Sequence, residues 1–123
     1  MTKKEIYCKV LRALDRLTEK RLAGGSYLKR APDGTPHPCA WGALRAAEAT
    51  KGRIKPSDWG SYVATPTNWE FSPEGAAARA AVIKANDDVD RYVNVKVNVN
   101  VNSVAAMESR FRRVRAFVAR QAK

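Results

Sequence analysis

The stretch Ser103-Val104-Ala105-Ala106-Met107-Glu108-Ser109-Arg110-Phe111-Arg112-Arg113-Val114-Arg115-Ala116-Phe117-Val118-Ala119-Arg120 decides how this chain must fold. Ser103 fits an N-cap, and Val104, Met107, Phe111, Val114 and Val118 follow at alternating three- and four-residue steps, which puts them on one stripe of a helix. Arg112, Arg113 and Arg120 fall on the opposite side. Burying the stripe therefore displays the arginines. From Ser103 to Lys123, six basic side chains stand against Glu108 alone, and the whole chain carries a formal net charge of +11. A surface this cationic attracts polyanions or acidic proteins.

The chain has 123 residues, enough for one domain that buries a core without metals or disulfide staples. With 45% hydrophobic residues and three Trp, it carries too much apolar surface for an intrinsically disordered basic tail. No early apolar run resembles a signal peptide, and no apolar stretch reaches the roughly 18 residues that crossing a bilayer requires. The expected location is the cytoplasm, with no membrane partner. Cys8 and Cys39, the only two cysteines, fall on different expected helices and read as free thiols.

At the N-terminal end, Thr2 with Glu5 forms a capping box, and Ile6, Val10, Leu14 and Leu17 repeat at helical spacing. This predicts a helix from about Lys3 to Leu22, stopped by Gly24-Gly25. Its other side carries Lys9, Arg12, Arg16 and Lys20, with Glu5, Asp15 and Glu19 within reach to neutralise them in part as helical neighbours. Ser26 to Arg30 suits a short strand, and Pro32-Asp33-Gly34-Thr35-Pro36 is a turn signal.

His37-Pro38-Cys39 leads into a small-residue helix, Ala40 to about Thr50, closed by Lys51-Gly52. A cysteine in the first turn of a helix meets the positive end of the backbone dipole, which favours its thiolate, so Cys39 is a candidate nucleophile of a cysteine-dependent enzyme. Against this, a Pro-bounded extended segment points its side chains in different directions, and a small buried thiol packing beside Gly42 and Ala43 is the preferred reading. Residues 53 to 71 lack helical periodicity. Trp59 and Trp69 there pin an ordered connection to the core or stack on nucleic-acid bases. Ser72-Pro73-Glu74 opens a further helix through Ala76 to Ala85, ending near Asn86.

Val93, Val95, Val97, Val99 and Val101 alternate with Asn94, Lys96, Asn98, Asn100 and Asn102, a period of two that predicts a strand with one buried face. Its register is weakly specified, since a two-residue slip leaves the pattern almost unchanged. Pairing partners are Ser26 to Arg30 or Ser61 to Ala64, the same strand in a second copy as a homodimer through residues 92–101, or the sheet edge of a target. The Asn86-Asp87-Asp88 cluster with Asp90 suggests a cation site, but lacks the glycine and distal glutamate of a calcium loop, so helix capping is the preferred role. Phosphate-binding glycine loops, zinc-spaced cysteines and nucleophile elbows are absent from the sequence, and no cofactor or metal is expected.

Val10-Leu11-Arg12-Ala13, the Cys39-Ala40-Trp41-Gly42-Ala43-Leu44 block, Asn86-Asp87 and the amphipathic last helix together resemble a family of small uncharacterised bacterial and phage proteins. Those proteins carry a Cys-Ala-x-Gly-Ala-Leu block, an Asn-Asp pair and a closing helix. The resemblance implies a helical domain without an established activity, so it transfers no catalytic residue. The Val/Asn run departs from the family pattern.

The expectation is therefore an α+β, mainly helical single domain of about four helices, with a small sheet or hairpin around residues 92–101. The expected function is non-enzymatic binding, in a phage-encoded protein by resemblance and size. Basic terminal helices would meet nucleic acid or an acidic host nucleic-acid-handling protein through Arg110, Arg112, Arg113, Arg115 and Arg120, with Lys9, Arg12 and Arg16 secondary. The alternatives are an inhibitor adding its Val/Asn strand to a partner's sheet and the enzyme at Cys39.

Overall fold

The computed structural model describes residues 1–51, 53, 59–97 and 102–123, and for residues 88–97 the backbone alone. Among them, five helices and two short strands follow in order: α1 Lys3–Asp15, β1 Leu28–Arg30, β2 Pro36–Pro38, α2 Ala40–Thr50, α3 Trp59–Val63, α4 Pro73–Val97 and α5 Val104–Gln121. The chain is a mainly helical α+β domain, as its patterning predicts.

Helix α2 is the centre. Its small residues Ala40, Gly42, Ala43, Ala46 and Ala47 let neighbours approach closely, and every residue from Ala40 to Ala47 is buried. Trp41 and Leu44 supply the bulk there, and α1, α3 and α4 all pack on this helix. Ile6, Val10 and Leu14 on α1, Val82 on α4 and Phe111, Val114 and Val118 on α5 complete the same cluster. Burying such side chains is worth about 1.5 to 3 kcal/mol each before entropy is counted.

The caps are as the sequence implies for α1 and α5: Thr2 Oγ1 accepts from Glu5 N at 3.2 Å, and Ser103 Oγ accepts from Ala106 N at 3.2 Å. Ser72 Oγ likewise accepts from Gly75 N at 3.1 Å at the start of α4. For α2 the cap is Cys39, whose Sγ accepts from Gly42 N at 3.3 Å.

Four features depart from expectation. Helix α1 stops at Asp15 rather than near Leu22; Lys20 adopts a left-handed φ of 53° and its Nζ donates to Asp15 O at 2.6 Å, which satisfies a helix-end carbonyl. Thr18, Glu19 and Lys20 are exposed, and the chain returns to the core at Leu22 and Ala23, where Leu22 N donates to Met107 O at 3.1 Å. The sheet is the antiparallel pair β1–β2, registered Leu28 to Pro38 and Arg30 to Pro36 across the Pro32–Pro36 turn, and not a hairpin around residues 92–101. Residues 61–63 of the candidate strand Ser61 to Ala64 belong to the short helix α3.

The largest correction is α4, which runs on past Asn86 to Val97. Val93 to Val97 are thus helical, and the remaining positions 98–101 of the expected strand lie outside the described residues. A helix already propagating gains one hydrogen bond per residue added, whereas a strand needs a partner for its ladder. The β preference of valine, within a scale of about 1 kcal/mol, is too small to reverse that.

Candidate nucleic-acid interface

Helices α1 and α5 lie side by side and antiparallel. Tyr7 meets Phe117 edge to face at 6.3 Å between ring centroids, Asp15 pairs with Arg115, and Lys20 Nζ lies 5.6 Å from the centre of the Phe111 ring. Their apolar stripes face inward, so both cationic sides turn outward.

The sequence-predicted contact residues divide into three groups. Arg112, Arg113 and Arg120 on α5 and Arg12 and Arg16 on α1 are exposed. Arg115 and Lys9 are half-buried, and each meets a carboxylate. Arg115 grips both carboxylate oxygens of Asp15, at 2.6 and 3.1 Å, and this hydrogen bond drives the Asp15 carboxyl below its ordinary range. Lys9 Nζ sits 3.2 Å from Glu48 Oε1.

Arg110 forms the third group alone. It is fully buried, and its Nη1 donates to Leu22 O at 2.5 Å, so it ties the buried Leu22 to α5 and presents nothing outward. The apolar stripe of α5 is wider than the valines and Met107 suggest, and Arg110 follows Met107 by three positions onto the same face.

Two residues of this face were not legible in the sequence. Glu48 and Lys51 on α2 stand across from Lys9, Arg12 and Arg16, and with Ala47 they enclose a groove of about 350 Å³. Lys51 is the C-cap of α2 in a left-handed conformation, φ 54°. Pairing of α1 with α2 brings them together, and one-dimensional helical spacing carries no signal of it.

The Cys39 region is a separate cavity of about 390 Å³ bounded by Tyr27, Trp41, Arg79, Ile83 and Asn86. Burial pushes the Cys39 thiol up, opposite to what a thiolate nucleophile needs. His37 turns away, its Nε2 2.7 Å from Thr35 Oγ1. Asn86 acts as a clamp: its Oδ1 accepts from Ala40 N at 3.4 Å and its Nδ2 donates to Ala23 O at 3.0 Å, a capping role for the first turn of α2. Among the described residues no group of three His, Cys, Asp or Glu is placed to hold a metal; the side chains of Asp88 and Asp90 lie outside them.

Behind that cavity is an ionic cluster with no signature in the sequence. Glu70, fully buried, takes both Nε and Nη2 of Arg45 at 2.9 and 3.0 Å and also accepts from Trp41 Nε1. Arg45 in turn lies over the Tyr27 ring at 4.6 Å. The cluster pins the loop before α4 onto α2. Trp41 packs edge-on against Trp69 at 6.1 Å, so Trp69 does serve to fasten that loop.

No family model, no curated protein and no solved structure matches this chain. Among the described residues no helix is long and apolar enough to cross a membrane.

Proposed function

We propose that this protein binds nucleic acid through its phosphate backbone, without chemistry of its own, using the outward face of the α1–α5 pair. One observation carries the reading: the two most cationic segments of the sequence pack antiparallel, so that Arg12, Arg16, Arg112, Arg113 and Arg120 are exposed on neighbouring helices. Such contacts are phosphate-directed and weakly selective for base sequence. The reading puts the protein in the cytoplasm. The strand-addition alternative loses its basis where Val93 to Val97 are helical.

Anisotropy titration of a fluorescent random-sequence duplex over a range of salt tests it. If each of the five arginines neutralises one phosphate, log affinity falls with log salt at a slope of about −4.5, at about −0.9 for each phosphate neutralised. Changing Arg112, Arg113 and Arg120 together to Gln should lower that slope by about 3. Absence of binding at low salt overturns the proposal. Nuclease-resistant capture of an acidic protein from lysate in the same conditions points instead to a protein target.

A further inference from the structure

The groove between α1 and the end of α2 gathers four bases, Lys9, Arg12, Arg16 and Lys51, around one carboxylate, Glu48. Arg16 and Lys51 are the C-caps of their helices, so two helix ends also face this space, each contributing roughly half a negative charge. Four cations against roughly two negative equivalents leave an excess of about two positive charges.

The acids that the sequence places beside these bases are engaged elsewhere. Glu5 accepts from the Thr2 hydroxyl, Asp15 is held by Arg115, and Glu19 lies 3.9 Å from Arg21. Arg12 and Arg16, one helical turn apart, consequently repel each other, and neither guanidinium has an ion-pair or hydrogen-bond partner among the described residues. Two guanidinium forks and an ammonium around an open groove match the oxygens of a tetrahedral anion.

We infer that this groove seats one phosphodiester group of a nucleic-acid backbone, held by Arg12, Arg16 and Lys51. Glu48 is the internal competitor: it occupies Lys9 and repels the incoming phosphate. This rests on the nucleic-acid reading above and fixes one point of contact within it.

The test compares duplex affinity, at two salt concentrations, for the wild-type chain and four variants whose folding is checked by circular dichroism. The groove variant carries Arg12→Gln, Arg16→Gln and Lys51→Gln; the α5 variant carries Arg112→Gln, Arg113→Gln and Arg120→Gln. Glu48→Gln removes the competitor, and Glu74→Gln removes an exposed carboxylate at the start of α4. The seat requires that the groove variant lose at least tenfold in affinity, that Glu48→Gln gain severalfold, and that Glu74→Gln stay within twofold of wild type. A groove variant within twofold of wild type, or equal gains from Glu48→Gln and Glu74→Gln, overturns the seat while leaving binding by α5 intact. A wild-type chain that fails to bind at low salt removes both readings together.

Discussion

Asp15 of α1 and Arg115 of α5 stand 100 positions apart and meet in a two-pronged ion pair, Nε to Oδ1 at 2.6 Å and Nη2 to Oδ2 at 3.1 Å. The pair locks the two terminal helices in register, and it also withholds one guanidinium from any outside anion. Asp15→Asn should lower stability by only about 0.2 to 1 kcal/mol, because both side chains are nearly half exposed. The same change should strengthen duplex binding and steepen its salt slope by about 1. Weaker binding by a folded Asp15→Asn protein would show that Arg115 acts only in packing.

Removing the buried carboxylate is a different matter. Glu70→Ala leaves Arg45 charged and enclosed, which should cost about 3 to 5 kcal/mol in urea unfolding. Replacing both partners, as in Glu70→Met with Arg45→Met, should recover part of that loss, since the Arg45 charge is gone while Trp41 Nε1 and Arg79, 3.9 Å from Glu70, still lose their acceptor. A double variant no more stable than Glu70→Ala would contradict this account.

Gly42 is required by close approach. A Cβ there would lie 2.9 Å from Tyr27 O and 3.2 Å from Val63 Cγ1, so backbone on one side must move. Gly42→Ala should destabilise by about 1 to 3 kcal/mol as overpacking does. Gly60→Ala, with nothing within 4 Å of the added carbon, is the matched control and should be near neutral.

His37, the only histidine, is buried, and its pKa is lowered by that burial and then by Arg21. Thr35 gives its single hydroxyl proton to Asp33 at 2.6 Å, so His37 Nε2 must donate to Thr35, which fixes the neutral tautomer with its proton on Nε2. A base with a depressed folded pKa binds its proton more readily when unfolded. Stability is therefore complete above pH 6.5, the ordinary histidine value, and declines as pH falls from there toward the folded value. Melting temperature measured from pH 7.5 to 5.5 should fall for wild type, and His37→Gln should flatten the profile; an unchanged slope in that variant would assign the loss to another group.

Much of this fold was legible in the sequence because its signals are local. The Thr2–Glu5 box, the Ser103 cap and the three-and-four spacing of α5 involve residues within one or two turns, where helical geometry alone dictates contact. The Val/Asn run misled because alternation describes side-chain placement along a strand, while the backbone from Pro73 already propagates as helix. Arg110 was misplaced for a related reason: arginine's charge suggests exposure, yet its position three residues after Met107 puts it on the buried stripe. Glu70 with Arg45, and Glu48 with Lys9, depend on which helices become neighbours. No periodicity within a single element encodes that choice.

Among the described residues, two that are not glycine occupy the left-handed region, and both are lysines, Lys20 and Lys51. Glycine at such a helix stop would relieve strain on the order of 1 kcal/mol. Firmness and cationic character thus oppose each other at position 51. Selecting this protein for heat resistance alone would tend to erase Lys51, and with it one of the three cations of the proposed phosphate seat.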